Sequence, residues 1–192
     1  MCYEGSERFS LNGNEINLSI CDFWRWAYSD FSDNVYRSVH GDFLVASSIG
    51  TSSASLCRGK SVYRHFDIIS KEGYRIEIKT AAYVQSFDGN YPDHISFRIA
   101  PIKGTETGPY YSSSVPRKRH SDLHVFCLYK GLTVNDSHLN IDLWEFFVLP
   151  TKVLDEKRTT KKTISLSSLL HLSPIKCDYN GISEAINKAM NT

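Results

Sequence analysis

The stretch His65-Phe-Asp-Ile-Ile-Ser-Lys-Glu-Gly-Tyr-Arg-Ile-Glu-Ile-Lys79 predicts a β-hairpin, and the rest of the chain is best interpreted around it. Apolar and polar residues alternate through its second half, which is typical of a strand with one buried face. Gly73 suits the left-handed position of a three-residue loop. Such a loop pairs Ser70 with Tyr74 and thereby sets the register of the whole ladder.

In that register the hairpin brings three ionisable side chains together. Asp67 lies opposite Glu77, and cross-strand neighbours have Cβ atoms roughly 4.5–5.5 Å apart. Lys79 shares the face of Glu77, because side chains alternate along a strand. Two carboxylates at this distance repel each other, and a divalent cation would remove the repulsion. With the backbone carbonyl of Ile78, they offer the oxygen ligands that Mg²⁺ prefers.

The combination suits phosphodiester hydrolysis. A lysine beside a bound Mg²⁺ or Mn²⁺ ion orients the attacking water and offsets charge at the phosphorus. No nucleophile–base pair accompanies the carboxylates, so acyl transfer is not indicated. An isolated Glu-x-Lys carries little information on its own, and a hairpin that is merely charged at its surface is the alternative interpretation.

Composition limits the remaining possibilities. The chain has 192 residues, 41% hydrophobic content and a formal charge of +1, as expected for one folded domain without a global attraction to nucleic acid. Its five scattered cysteines indicate neither a disulfide framework nor a structural zinc site. No stretch approaches the roughly 18 apolar residues of a membrane span, and no signal peptide is evident. We expect a cytoplasmic protein without membrane association.

Three helices are predicted, two near the N-terminus and one near the C-terminus. Residues 19–31 carry an aromatic stripe at helical spacing, which predicts packing against a core. A second helix over about 35–49 places Asp42 within its apolar stripe, alongside Val39, Phe43 and Ala46. Asp42 then needs a partner, and an ordinary salt bridge, a solvent-open edge and a functional role all remain open. A last helix contains Ile182–Met190 at helical spacing.

Alternation and apolar runs predict a mixed sheet. The first three strands are expected to form a meander, and the fourth, nearly continuous in apolar residues, reads as a central strand buried on both faces. The predicted strands cover about 62–69, 74–84, 95–100, 123–129 and 144–149. A loop over 101–116 and a helical turn over 151–156 complete an α/β domain with helices on both sides of the sheet.

This arrangement resembles the PD-(D/E)XK nuclease superfamily, the restriction-endonuclease-like fold, over about residues 35–150. Phe66 stands where the superfamily motif has a proline, which is not a ligand. The resemblance implies one nuclease-like domain over 1–192, with a mixed sheet made of a three-strand meander plus further strands. The helix at 19–31 and the segment 151–192 are then additions to the core.

The resemblance also implies which residues form the active site. Asp67, Glu77 and Lys79 correspond to the acidic residues and the lysine of the superfamily hairpin. Asp42 occupies the place of a helix glutamate that often completes the metal shell. Gln85 matches a glutamine that often follows the lysine, and an even separation keeps it on the face of Lys79.

More narrowly, the chain is similar to a bacterial group of stand-alone nuclease-like proteins. The stretches that carry this similarity are Cys21-Asp-Phe-Trp-Arg-Trp-Ala-Tyr-Ser-Asp30, Ile76-Glu-Ile-Lys-Thr-Ala-Ala-Tyr-Val-Gln-Ser86, Ser121-Asp-Leu-His-Val-Phe-Cys127 and Trp144-Glu-Phe-Phe-Val-Leu-Pro150.

The expected substrate is DNA, cut by a Mg²⁺- or Mn²⁺-dependent endonuclease in restriction, phage defence or repair. Arg117, Lys118 and Arg119 are predicted to contact its phosphates, with a second basic cluster at 157–162. Cutting both strands favours a homodimer. A catalytically silent DNA-binding or adaptor subunit is the alternative. The histidines look dispersed, and His65 is assigned a structural role.

Overall fold

The computed structural model describes residues 3–50, 65–84, 94–103, 116–133 and 135–191. Two parallel strands, β4 (Arg75–Ala82) and β6 (Leu123–Tyr129), form the centre of a five-stranded mixed sheet. β3 (Ile68–Ile69) pairs antiparallel with β4, while β7 (Trp144–Pro150) and β9 (Ile175–Cys177) extend the other side. Every residue of β6 is buried, which confirms the predicted central strand.

An arginine–aspartate pair fixes the register of the two central strands. The backbone amide of Arg75 donates to Asp122 Oδ2 at 2.8 Å, and its guanidinium donates to Asp122 Oδ1 at 2.6 Å. The amide of Thr151 donates to the carbonyl of Asp122 at 2.9 Å, where α3 (Thr151–Lys157) begins. Asp122 therefore aligns the starts of β4, β6 and α3, through its carboxylate and its backbone carbonyl.

Each face of the sheet has its own hydrophobic core. Ile76, Ile78 and Ala82 of β4 face α2 (Asn34–Ser48) and α5 (Ile182–Met190). The opposite face presents Phe126 and Phe147 to a second core. The elements that cover this second core are α3, β5 (Ser96–Arg98), β8 (Thr163–Ser165) and α4 (Leu166–Leu170). The α/β class with helices on both faces is confirmed.

The predicted three-strand meander is wrong. β5 forms within the predicted range, but it pairs antiparallel with β8, and neither strand joins the described five-stranded sheet. The edge of β4 that a meander would use is already paired with β6. Phe97 and Ile164 instead bury their side chains in the second core. Of the predicted first strand, residues 62–64 lie outside the described part of the chain.

An N-terminal unit precedes the sheet. β1 (Arg8–Leu11) and β2 (Asn14–Ser19) form a hairpin that leads into α1 (Ile20–Tyr28). Ser19 caps α1, because its hydroxyl accepts from the amide of Asp22 while the Asp22 carboxylate accepts from the amide of Ser19. The predicted core packing of α1 is wrong. All nine residues of α1 are described and none is buried, and Trp26 is 84% exposed.

The second helix is confirmed, and Ala46 of its predicted apolar stripe is buried together with the neighbouring Leu44, Val45 and Ile49. Asp33 caps α2 by accepting from the amide of Val35 at 2.7 Å, and Gly50 adopts a φ of +63° beyond its end. Phe43 was predicted to be buried and is 53% exposed. Gly41 faces the sheet instead, because a side chain there would collide with Thr80 of β4. None of the helices in the described residues is long and apolar enough to cross a membrane.

Candidate functional site

A small cleft opens on the face of the sheet that carries Glu77 and Lys79. It encloses about 70 Å³, enough for a few water molecules. Its walls come from the start of the hairpin, from β4, from the end of β5 and from the segment that precedes β6. The lining residues are His65, Glu77, Lys79, Arg98, Ile99, Ala100, Ile102, Arg119, His120, Ser121 and His124.

Glu77 and Lys79 form an ion pair within this cleft. Burial raises the pKa of Glu77; the charge of Lys79 opposes this effect, and the negative charge of Asp67 adds to it. The Glu77 carboxylate is therefore destabilised by its surroundings even with a lysine beside it. A further cation would relieve both the desolvation and the repulsion from Asp67.

Asp67 lies one residue before β3, whose described ladder pairs Ile68 with Ile76 and Ile69 with Arg75, so its predicted pairing with Glu77 stays a prediction. The amide of Ser70 donates to the carbonyl of Tyr74 at 2.9 Å, and Gly73 has a φ of +90°, so the predicted loop is confirmed. The amide of Asp67 donates to the carbonyl of Ile76 at 2.9 Å. Its carboxylate then accepts from the amide of Ile78 at 2.7 Å.

This hydrogen bond places the Asp67 carboxylate at the outer edge of β4. The N–H and C=O of one strand residue point to the same edge, so the carbonyl of Ile78 lies on the side that Asp67 occupies. Asp67, Glu77 and this carbonyl supply three oxygen donors. In the described part of the chain, no three His, Cys, Asp or Glu side chains gather around one point. Two carboxylates plus water suit Mg²⁺, which keeps several waters and often uses one or two carboxylates.

Asp42 belongs to α2, which packs on the face of β4 opposite to the one that carries Glu77. Asp42 is buried in α2. Burial raises the pKa of the Cys127 thiol, and the negative charge of Asp42 adds to this rise. Cys127 belongs to the core on the α2 face, whereas Glu77 points to the other face. The charge of Asp67 makes a smaller contribution to the same rise. The metal-ligand role of Asp42 stays a prediction, and Gln85 lies outside the described residues.

Arg119 differs from its predicted role. Its guanidinium is buried and donates to the carbonyl of Ile99 at 2.8 Å, to Asp155 Oδ1 at 2.6 Å and to the carbonyl of Arg158 at 2.9 Å. These bonds occupy the guanidinium, so Arg119 braces the wall of the cleft. Arg117 and Lys118 are exposed, and their contact with DNA stays a prediction.

Histidines that looked dispersed in the sequence converge on the cleft. The rings of His65 and His120 stack with centroids 4.4 Å apart. His124 is paired with Glu77 in the parallel register of β4 and β6. Its Nδ1 lies 3.0 Å from Thr151 Oγ1, and burial, followed by the charges of Lys79 and Arg119, lowers its pKa to about 3.

Sequence reasoning missed His120 and His124 because their place depends on the parallel pairing of β4 with β6. The four-residue spacing between these two histidines, at the entry to a predicted buried strand, is the one local signal that could have identified them. Arg98 was missed for a similar reason, since β5 lies beside the cleft while pairing with the distant strand β8.

Comparisons with known proteins add no assignment. No protein-family model and no curated protein matches this chain. The geometry of the cleft and the chemistry of the side chains that line it are therefore the evidence for function.

Proposed function

We propose that the chain is a Mg²⁺- or Mn²⁺-dependent nuclease that hydrolyses phosphodiester bonds in DNA, of the PD-(D/E)XK type. The observation that carries the proposal is that the Asp67 carboxylate accepts from the amide of Ile78 in β4, while Glu77 of the same strand pairs with Lys79 and has its pKa raised in part by the charge of Asp67. The five-stranded mixed sheet with helices on both faces is compatible with the restriction-endonuclease-like fold.

Each group has a distinct role in the proposed mechanism. Asp67, Glu77 and the carbonyl of Ile78 would hold the cation, which would supply an activated water and neutralise charge on the phosphate. Lys79 is held against Glu77, so its ammonium lies where it can orient the attacking water and offset charge on the phosphate. Gln85 is proposed to position the water or the phosphate.

We place this activity in bacterial restriction, phage defence or repair, in the cytoplasm. Cleavage of both strands of a duplex by a single-site chain requires two copies or two successive cuts. We include a homodimer in the proposal, because two copies of the chain supply the two sites at once.

The direct experiment is a cleavage panel. Supercoiled plasmid, linear duplex, branched DNA and single strands are incubated with Mg²⁺, with Mn²⁺ or with EDTA. We expect metal-dependent cleavage that falls about 10²–10⁴-fold in Asp67→Asn, Glu77→Gln and Lys79→Ala, because each removes a group that acts on the reacting atoms. Glu156→Gln removes an exposed carboxylate of α3 and is the matched control. Cleavage that persists in EDTA, or that Asp67→Asn leaves unchanged, contradicts the proposal.

A catalytically silent adaptor subunit that binds DNA is the second candidate. It is compatible with the local bonding, in which Lys79 pairs with Glu77 and the amide of Ile78 donates to Asp67 without a metal ion. Calorimetric titration separates the two functions. A metal-dependent nuclease binds Mg²⁺ or Mn²⁺ with measurable heat at millimolar concentration, whereas an adaptor gives none.

A further inference from the structure

We propose that the ribbon formed by β5 and β8 holds the phosphate backbone of the substrate, with Arg98 as its central residue and Lys161 and Lys162 beside it. This inference deepens the proposed function and rests on it. It assigns the phosphate contacts to the second basic cluster and to a strand that no motif in the sequence marked as functional.

The register of the ribbon directs Arg98 outward. Phe97 pairs with Ile164, and both side chains are buried in the second core. Arg98 pairs with Thr163, and alternation sends both to the solvent side, where both are exposed. Arg98 also lines the cleft that contains Glu77.

The guanidinium of Arg98 is available to a ligand. Among the residues that the structure describes, none forms a hydrogen bond or an ion pair with it. Arg119, by contrast, has its donors occupied by carbonyls and by Asp155. A planar guanidinium with free donors binds a phosphate through two parallel hydrogen bonds, which a lysine cannot do.

Arg119 holds the second basic cluster next to Arg98. It donates to the carbonyls of Arg158 and Lys161, at 2.9 and 3.4 Å, and so fixes the turn between α3 and β8 against the cleft wall. The amide of Ile99 donates to the carbonyl of Lys162 at 2.8 Å, which ties the same turn to the end of β5. Lys161 and Lys162 are both exposed.

Arg98, Lys161 and Lys162 together are called the phosphate track. Local contacts of this kind are needed because the net charge of the chain is small. The whole chain carries a formal charge of only +1, so long-range attraction to DNA is weak. Arg98 on the ribbon, with Lys161 and Lys162 on the turn that leads into β8, provides the contacts that position a phosphodiester backbone over Glu77 and Lys79. Each cation that neutralises a phosphate also contributes to the salt dependence of binding.

Binding is measured separately from cleavage. Fluorescently labelled duplex and single-stranded oligonucleotides are titrated with the full-length protein in EDTA, and anisotropy gives Kd at several salt concentrations. We expect Arg98→Ala to weaken binding at least about tenfold and Arg98→Lys to recover only part of the loss. The double variant Lys161→Ala/Lys162→Ala should reduce the slope of log K against log salt by up to about 1.8 on duplex DNA. Arg8→Ala, in the exposed β1 strand, is the matched control and should bind like the wild type.

The outcomes distinguish this inference from the proposed function. Wild-type binding by both the Arg98 and the double-lysine variants overturns the phosphate track, even if the wild type cleaves DNA. Loss of binding in these variants, with circular dichroism unchanged, supports the track even if no cleavage is ever seen, and in that case only the catalytic proposal fails. Absence of binding by the wild type to every oligonucleotide overturns the track.

Discussion

At the scale of single residues, the buried guanidinium of Arg119 makes the clearest prediction. It bonds to Ile99, Asp155, Arg158 and Lys161, which belong to different segments of the chain. Arg119→Ala leaves these acceptors without a donor and should lower the free energy of unfolding by about 2–4 kcal/mol. Urea denaturation followed by circular dichroism measures the loss.

The neighbouring Arg117 provides the matched control. It is exposed and makes one long contact, at 3.4 Å to the carbonyl of Pro101, so Arg117→Ala should change stability by less than about 0.5 kcal/mol. Equal effects of the two substitutions would contradict the bracing role of Arg119.

His124 predicts how stability depends on pH. Its folded-state pKa of about 3 lies below the usual 6.5, so the unfolded chain takes up a proton that the folded protein rejects. Stability from this residue is therefore complete above pH 6.5 and is lost as the pH falls toward 3. His138, with a pKa of about 4, contributes in the same direction.

His124→Asn removes the titrating ring and keeps a polar group near the hydroxyl of Thr151. Between pH 6 and 4 in EDTA, the unfolding free energy of this variant should depend less steeply on pH, by up to about 1.4 kcal/mol per pH unit. His171→Asn, at an exposed position, should keep the wild-type slope. An unchanged slope in His124→Asn would show that His124 is not buried in its neutral form.

At the scale of elements, helix α2 meets strand β4 at a glycine. A Cβ at Gly41 would overlap the hydroxyl of Thr80, so Gly41→Ala should destabilise by about 1–2 kcal/mol despite the better helix propensity of alanine. Thr80→Ala opens the required space. The double variant Gly41→Ala/Thr80→Ala should therefore be more stable than the sum of the two single effects predicts, by about 1 kcal/mol or more in thermal unfolding. Additive effects would argue against this contact.

The aromatic residues of helix α1 and strand β7 differ in how much they contribute to the free energy of unfolding. Trp26 is 84% exposed, and Trp26→Ala should change the unfolding free energy by less than about 0.5 kcal/mol. Phe147 is buried in the second core, and Phe147→Ala should cost about 3–5 kcal/mol. Chemical denaturation of both variants checks the contrast. A large loss in Trp26→Ala would mean that α1 is packed against the core after all.

Elements set by local pattern could be predicted from the sequence. The hairpin loop at Gly73, the buried strand β6 and the helix α5 follow from turn chemistry and periodicity, and all three are observed. The pairing of β5 with β8 could not be predicted, because alternation identifies a strand without naming its partner. The exposure of α1 was missed for a related reason, since an amphipathic stripe does not say whether another element covers it.

In the candidate site, too, the residues placed by local structure could be predicted and those placed by long-range pairing could not. Asp67, Glu77 and Lys79 lie within one hairpin, so their proximity follows from local register. Arg98 and His124 reach the cleft through long-range pairings, which a single sequence does not reveal.

At the scale of the whole molecule, a bound cation should stabilise the fold. A ligand that binds only the folded state, at ten times its Kd, adds about 1.4 kcal/mol, or about 3–6 °C in Tm for a chain of this size. Differential scanning fluorimetry with Mg²⁺ or Mn²⁺ against EDTA should show this shift in the wild type and not in Asp67→Asn or Glu77→Gln. Asp42→Asn tests the predicted ligand role of Asp42, because a retained shift would exclude that role. Loss of the shift in Asp42→Asn would instead make Asp42 a ligand.

The parallel pairing of β4 with β6 also bears on how the protein folds. Arg75 and Asp122, like Glu77 and His124, are far apart in sequence, and the chain between them must close as a large loop before either pair can meet. Long-range closure of this kind is slow compared with formation of a hairpin. The hairpin that carries the carboxylates can therefore form early, whereas the cleft around it is completed only when the central sheet is assembled.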